Sequence, residues 1–399
     1  MNLMRNGQQR RTVVHVVNSL EGGGTERTLV SLLSAFDHHD TAGNSIRPAE
    51  SRSHLRHAVC TLRRAGALSD RLPDCVPCHP MNIVGRSRAG GFRLARAIAP
   101  RRPAIIHARN FGCWAESLAA GLMLRRCSVL LGFHGLERDG VFNTKQRRLA
   151  RWAFRLGARF TSVSYAGRDK LTREAGIPPR RIDVLTNGVD LDRFARDDGS
   201  RRDIVRQCFG YSPQDIVLGS VASLTPVKDH QALIRAVRHL RGTNPQVKLL
   251  LVGDGPQRAE LEQSVRISRL AGSITFTGWR DDVPDLLSAM DIYVCSSRSE
   301  GMSNSVLESM ASGLAVVATS VGDNEAIIAD GREGRLVSPN DVAALARVLQ
   351  ELVYSPEARH AYGCAARLRA RHFSFDAARR RYELYYKSLR SGQSSVISC

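Results

Sequence analysis

No apolar run in the sequence approaches the ~18 residues that a membrane-crossing helix requires, so any meeting with a bilayer is expected to be peripheral. The opening stretch, MNLMRNGQQRR, lacks an apolar core and a cleavage signal and is not read as a secretory peptide. Acid is scarce: 38 Asp and Glu stand against 58 Lys and Arg, a formal charge of +20. Such an excess suits nucleotide phosphates, nucleic acid or the anionic face of a membrane. It also fits an arginine-rich proteome, because arginine dominates and is spread along the whole chain. Nine cysteines are an odd number for a disulfide framework. The C-x-x-C pair Cys75 and Cys78 has no second pair, and no His-x-x-His, to complete a zinc site. A reduced, cytosolic protein follows, with most cysteines as small apolar fillers. There is no recognised nucleic-acid module, and the basic residues do not cluster with aromatics, which disfavours nucleic acid as a partner. Internal repeats and low-complexity blocks are also missing.

What is present is an alternation of short apolar strands with longer amphipathic segments. That pattern reads as α/β, with parallel sheets covered by helices. At 399 residues the chain exceeds one core of usual size, and its 43% apolar content supplies two. TVVHVVNSL from Thr12, AIIHA from Ala104, SVLLGFH from Ser128 and RFTSVS from Arg159 are strands of the first half. The second half offers DIVLGSVASL from Asp215, VKLLLVGDG from Val247, SITFTG from Ser273, DIYVCSS from Asp291 and GLAVVATS from Gly313. Two Rossmann-like domains are expected, over 1–200 and 201–373, with a last helix over 374–390 packing back through Ala378, Tyr382, Leu384 and Tyr385. The polar stretch from Asp37 to His57 has no period and reads as a loop or poorly ordered insertion. Ligands of such sheets sit at the carboxyl ends of the strands, so a cleft between facing domains is the expected site.

Several strand ends carry candidate chemistry. Gly22, Gly23 and Gly24 lie between a strand and a helix N-terminus, either as an anion site or as a tight turn. His134 closes a buried strand, where it is either structural or a partner for a sugar or proton. Lys228 follows a strand of the second half and would offset phosphate charge. Gly253 and Gly255 form a Gly-x-Gly turn with the same two readings as the triple glycine. In SRSEGMSNSVLESMASG, Ser303 or Asn304 can cap a helix whose Val306, Leu307, Met310 and Ala311 share a core-facing arc. Glu308 lies off that arc, and Glu300 stands just ahead of the helix. Two glutamates at this spacing arise by chance on the order of once per chain, so their context carries the weight.

The run from Ser297 to Asp341 resembles the donor-binding segment of the retaining family-four glycosyltransferases, which have the GT-B fold. GGGTERTL, FHG, LTNGVDLDRF, LTPVKDH, LLLVGDGP and TGWRDDVPDLLSAMDIYV resemble that family in its own order, from about residue 13 to 385. The likeness is closest to bacterial transferases of exopolysaccharide, lipopolysaccharide and exosortase-associated clusters. It implies a sugar transferred from a nucleoside diphosphate, UDP by preference, to a lipid-linked or saccharide acceptor, with no cofactor and no metal. Glu308 would bind the ribose hydroxyls and Glu300, with Gly301, the donor sugar. N–H groups around Asn304 and Ser305 would meet the diphosphate. Lys228 would stabilise the leaving group, Gly22 to Gly24 would approach it, and His134 would support the transferred sugar.

One position departs from the family. Arg-Leu-x-x-x-Lys is its usual wording, and here Ser223 takes the arginine's place. A serine gives one hydrogen bond but no charge and no bidentate fork. Either Arg280 or Arg298 supplies that charge, or catalysis is impaired. A non-catalytic nucleotide-sugar binder and a same-fold nucleotide-sugar epimerase are the competing readings. The expected place of work is the cytoplasm or the inner face of its membrane.

Overall fold

The computed structural model describes residues 11–42, 55–83, 89–134, 141–195 and 199–391. The chain divides into two compact units, Met1–Asn187 with Phe375–Cys399, and Gly188–Ser374. The division falls ahead of the expected boundary at 200, and the last helix, expected to pack back across the domains, groups with the first unit.

The first unit is built on β1 (Arg11–Val17), β2 (Leu55–Thr61), β3 (Cys78–Pro80), β4 (Pro103–Ala108), β5 (Ser128–Phe133), β6 (Arg159–Ser162) and β7 (Ile182–Val184). They lie in the order β3-β2-β1-β4-β5-β6-β7, all parallel. The second unit has β8 (Ile216–Val221), β9 (Val247–Val252), β10 (Ile274–Gly278), β11 (Ile292–Cys295), β12 (Ala315–Thr319) and β13 (Gly334–Val337). Their order is β10-β9-β8-β11-β12-β13, again all parallel. Helices on both faces bury these strands, which is why they read as continuous apolar runs: Val13, Val14, Val16 and Val17 are each at most 1% exposed. In each sheet the order reverses once, between β1 and β4 and between β8 and β11. Those reversals open the crevices in which parallel sheets hold ligands.

Two sequence expectations change. Asp37 does not begin a loop: the helix Gly24–Ala42 runs through it, with no glycine or proline to stop it before Gly43. β2 starts at Leu55, and residues 43–54 of the expected insertion lie outside the described ones. On the last helix, Phe375–Ser391, Leu384 is 59% exposed while Tyr386 is buried. Positions 378, 382, 385 and 386 share one arc, and 384 points away from it. That arc covers Val13, Leu32, Phe36, Leu55, Ile105 and Leu130.

Under this helix lies an unusual polar layer. His15 Nε2 is 3.0 Å from His57 Nδ1, and His107 Nδ1 is 2.9 Å from the Tyr386 hydroxyl. All three histidines are buried. Burial, with the charge of Arg109 close by, holds His15 and His107 well below the ordinary imidazole range. His57 is lowered to about 3 by burial, against an opposing pull from Glu383. Groups neutral when folded but protonated when unfolded weaken the fold as pH falls through the unfolded value, about 6.5. Their contribution is intact above that pH. By pH 5 His57 alone costs about 2 kcal/mol. Urea unfolding followed by tryptophan fluorescence is therefore expected to show at least that loss between pH 7 and pH 5.

Candidate active site

The loops after β8 and β11 lie side by side because those strands are neighbours at the second reversal. The β8 loop makes one 3-10 turn, Pro226–Lys228, and Asp229 then takes a left-handed conformation, φ 47°. That conformation is strained for a residue with a side chain. Its carboxylate accepts from Ala232 N at 3.3 Å, capping the helix His230–Arg241, and from Arg298 Nε at 2.8 Å. Two further bonds tie the loops: Ser296 Oγ donates to Lys228 O at 2.9 Å, and Arg298 N to Val227 O at 2.8 Å.

So braced, Lys228 Nζ donates to Glu300 Oε1 at 2.6 Å. Ser297 Oγ donates to the same oxygen, also at 2.6 Å, and the Cys295 thiol approaches it at 3.7 Å. The Glu300 side chain is only 9% exposed. Burial and the nearby Glu300 charge push the Cys295 thiol up to about 11, so it stays a donor. From behind, Thr319 Oγ1 donates to Ser297 O at 2.6 Å, and Asp323 N to Gly301 O at 2.9 Å. Gly322, at φ +59°, makes that approach possible, since a Cβ there would stand 2.4 Å from Glu300 O.

The helix Asn304–Ala311 follows, with Ser303 as its cap, its hydroxyl 3.4 Å from Val306 N. Val306, Leu307, Met310 and Ala311 are buried, as their shared arc requires, and Glu308 is half-buried. Asn304 and Ser305 form the first turn, and the Ser305 hydroxyl lies 3.3 Å from that of Ser303.

The other candidates fall in different places. A Cβ on Gly253 would sit 2.0 Å from Ala222 O, and one on Gly255 2.5 Å from Leu224 O. These glycines make room for the loop that carries Ser223, which is exposed. Arg280 follows β10, and Asp282 holds it through two bonds of 2.7 and 2.5 Å. In the first unit, Gly22 has φ +125° with open space where a side chain would be, and Gly23 and Gly24 are exposed at the helix start. His134, half-buried, closes β5. Burial and the neighbouring Arg109 guanidinium hold its imidazole well below the ordinary range, so it is neutral near pH 7. Arg109 itself escaped the sequence reading. It follows β4, is fully buried, and its three guanidinium nitrogens have no hydrogen-bond partner among the described residues. A charged residue set directly after a buried strand is the signal that would have found it.

Known proteins match this architecture. The model of Glycosyltransferase Family 4 covers residues 22–193, and that of Glycosyl transferases group 1 covers residues 215–355. The 2-deoxystreptamine N-acetyl-D-glucosaminyltransferase of Streptomyces fradiae is 30% identical over 71% of this chain and 71% of its own. The chain belongs to glycosyltransferase family 4. Another relative of this glycosyltransferase is the UDP-Gal:alpha-D-GlcNAc-diphosphoundecaprenol alpha-1,3-galactosyltransferase of Escherichia coli, 24% identical over 73% of this chain and 79% of that one. Among solved structures, Anabaena Alr3699/HepE in complex with UDP shares the fold, with a TM-score of 0.80 at 21% identity, over 94% of this chain and all of that one. Two parallel-sheet units of this kind are the GT-B fold.

The glycines of the second unit give the glycosyltransferase a testable weak point. Gly253→Ala puts a Cβ into the Ala222 carbonyl at φ +137°. It is expected to cost at least about 2 kcal/mol in thermal unfolding, more than any gain in chain stiffness returns.

Proposed function

We propose that this glycosyltransferase moves a sugar, with retention of configuration, from a UDP-linked donor to a lipid-linked or saccharide acceptor in cell-surface polysaccharide synthesis. The observation that carries the reading is the Lys228–Glu300 pair at the reversal between β8 and β11. A diphosphate arriving there competes for the Lys228 ammonium. As Lys228 turns to phosphate, Glu300 Oε1 is freed to accept from hydroxyls of the donor sugar, while Ser297 keeps the carboxylate aimed. The first-turn N–H groups of Asn304 and Ser305 meet the diphosphate and Glu308 takes the ribose. In the first unit, Gly22 to Gly24 offer backbone N–H groups to phosphate, and neutral His134 suits a sugar hydroxyl better than a charge. Lysine and helix dipole together do the neutralising that a divalent ion performs elsewhere, so the reaction is read as metal-independent. The sugar's bond to the leaving phosphate oxygen breaks as the acceptor oxygen bonds the same carbon on the same face. The acceptor proton passes to the departing phosphate.

The UDP preference is supported by the UDP in the Anabaena complex and by the UDP-Gal donor of the Escherichia coli relative, and the lipid-linked acceptor by that relative's diphosphoundecaprenol. An anionic membrane surface at the inner face of the cytoplasmic membrane completes the set of partners.

Ser223 favours a second reading, a binder without catalysis. The cations nearest in role are both engaged, Arg280 by Asp282 and Arg298 by Asp229. Donor turnover separates the two. Glu300→Gln is expected to lower UDP-sugar transfer or hydrolysis by about a hundredfold, while UDP still raises the melting temperature. A wild type that binds UDP-sugars without turning them over would leave the binder standing. Conversion of the donor with no acceptor present would point to the epimerase. Ser223→Arg is expected to raise donor affinity and turnover together, and no change would mean the site is already compensated.

A further inference from the structure

Basic residues run along the whole chain, and one stretch of the first unit is especially dense in them. Residues 144–181 hold eleven Lys and Arg against Asp169 and Glu174, so +9 of the chain's +20 resides there. Both acids are engaged, Asp169 by Arg168 at 3.2 Å, and Glu174 by Lys170 at 3.7 Å and Phe142 N at 2.7 Å. The helix Thr144–Arg155 opens on a capping box of Asn143 and Gln146 and contains no acidic residue. Ala150 and Ala153 face the core. Lys145, Arg148, Trp152, Arg155 and Leu156 lie on the opposite arc, all exposed, with Arg151 at its margin. Trp152 is 65% exposed and Leu156 47%, and Val141, just ahead of the helix, is 59%. The Trp152 ring has no aromatic or cationic partner among the described residues. This stretch corrects the sequence reading, in which basic residues and aromatics stood apart.

We propose that this helix face docks on an anionic lipid bilayer, with Trp152 and Leu156 seated among the headgroups and Lys145, Arg148 and Arg155 over the lipid phosphates. The arc from residue 145 to 156 is ~16 Å long, enough to lie along the interface without crossing it. Tryptophan settles at headgroup depth, and interfacial helices pair such rings with Lys and Arg on their polar side. Lipid is favoured over nucleic acid because exposed aliphatic side chains gain nothing from a phosphate backbone, and one tryptophan is a poor stacking platform. No described helix is long and apolar enough to span a membrane. The inference rests on the reading of a membrane-side acceptor, but its test does not use turnover.

The experiment is co-sedimentation of the full chain with vesicles of phosphatidylcholine alone and of equimolar phosphatidylcholine and phosphatidylglycerol. Binding is expected to the anionic vesicles only and to fall with salt. Trp152→Ala should weaken it on the order of tenfold, and Arg148→Gln with Arg155→Gln by about the same or more, with melting temperature and UDP response unchanged. Tryptophan quenching by brominated lipid should be lost in Trp152→Phe and kept in Trp279→Phe, with Trp114 fully buried in both. Equal binding to neutral vesicles, unchanged binding of Trp152→Ala, or tighter binding to single-stranded RNA lost in the same variants would each overturn the proposal. Failure of donor turnover with vesicle binding intact would fault the catalytic reading alone.

Discussion

The salt bridge between Lys228 and Glu300 depends on two loops being held a few ångströms apart, and much of the second unit serves that spacing. A carboxylate as buried as Glu300 would be costly without compensation, by several kcal/mol if it were left alone. The compensation comes from three donors on one oxygen: an ammonium, a hydroxyl and a thiol. The hydroxyl and thiol come from the β11 segment itself, but the ammonium would not join them if β8 and β11 were not adjacent and Asp229 were not pinned by Arg298 and its helix. The strain at Asp229 is therefore spread over the cap, the arginine and the loop behind it.

The two units handle buried arginine differently. In the second, Arg202 and Arg206 share the carboxylate of Asp291, each at 2.6 Å, and Arg206 also donates to the Ala289 and Asp215 carbonyls. That is a satisfied network, and it fastens the helix Ser200–Cys208 to the start of β11. In the first unit Arg109 has no carboxylate among the described residues. Its guanidinium carbon lies 5.1 Å from the centre of the Tyr382 ring, and its charge falls on His15, His57, His107 and His134. One arrangement stabilises a joint, and the other adds to burial in keeping four imidazoles of the first unit neutral.

Much of this was legible in the sequence, for reasons that can be named. Nine strands stood out because helices cover both their faces and leave room for few polar residues. β2 was missed because Arg56 and His57 interrupt it, and β3 and β7 because three residues make no pattern. β13 was missed because Arg335 breaks its short run. Glu300, Glu308 and Lys228 could be singled out, but the 2.6 Å contact joins residues 72 apart and follows from strand order, which no local window carries. Gly253 and Gly255 read equally well as ligand contacts or packing glycines. Only the position of the Ala222–Leu224 backbone distinguishes the two. Leu384 shows the same limit on a helix, where composition favoured it and its angle on the wheel did not.

The C-terminal helix has a consequence in time as well as in space. The apolar face of β1, β2, β4 and β5 that carries Val13, Leu55, Ile105 and Leu130 is closed by Ala378, Tyr382, Tyr385 and Tyr386. Nearly two hundred residues, the whole second unit, separate that face from its cover. A ribosome moving at roughly 5–20 residues per second finishes the first sheet well before its lid exists. For roughly ten to forty seconds the nascent first unit must keep a row of histidines, an arginine and one apolar face of its sheet open to water, while the second unit has all its parts and can fold. The part of the chain made first is thus the part completed last.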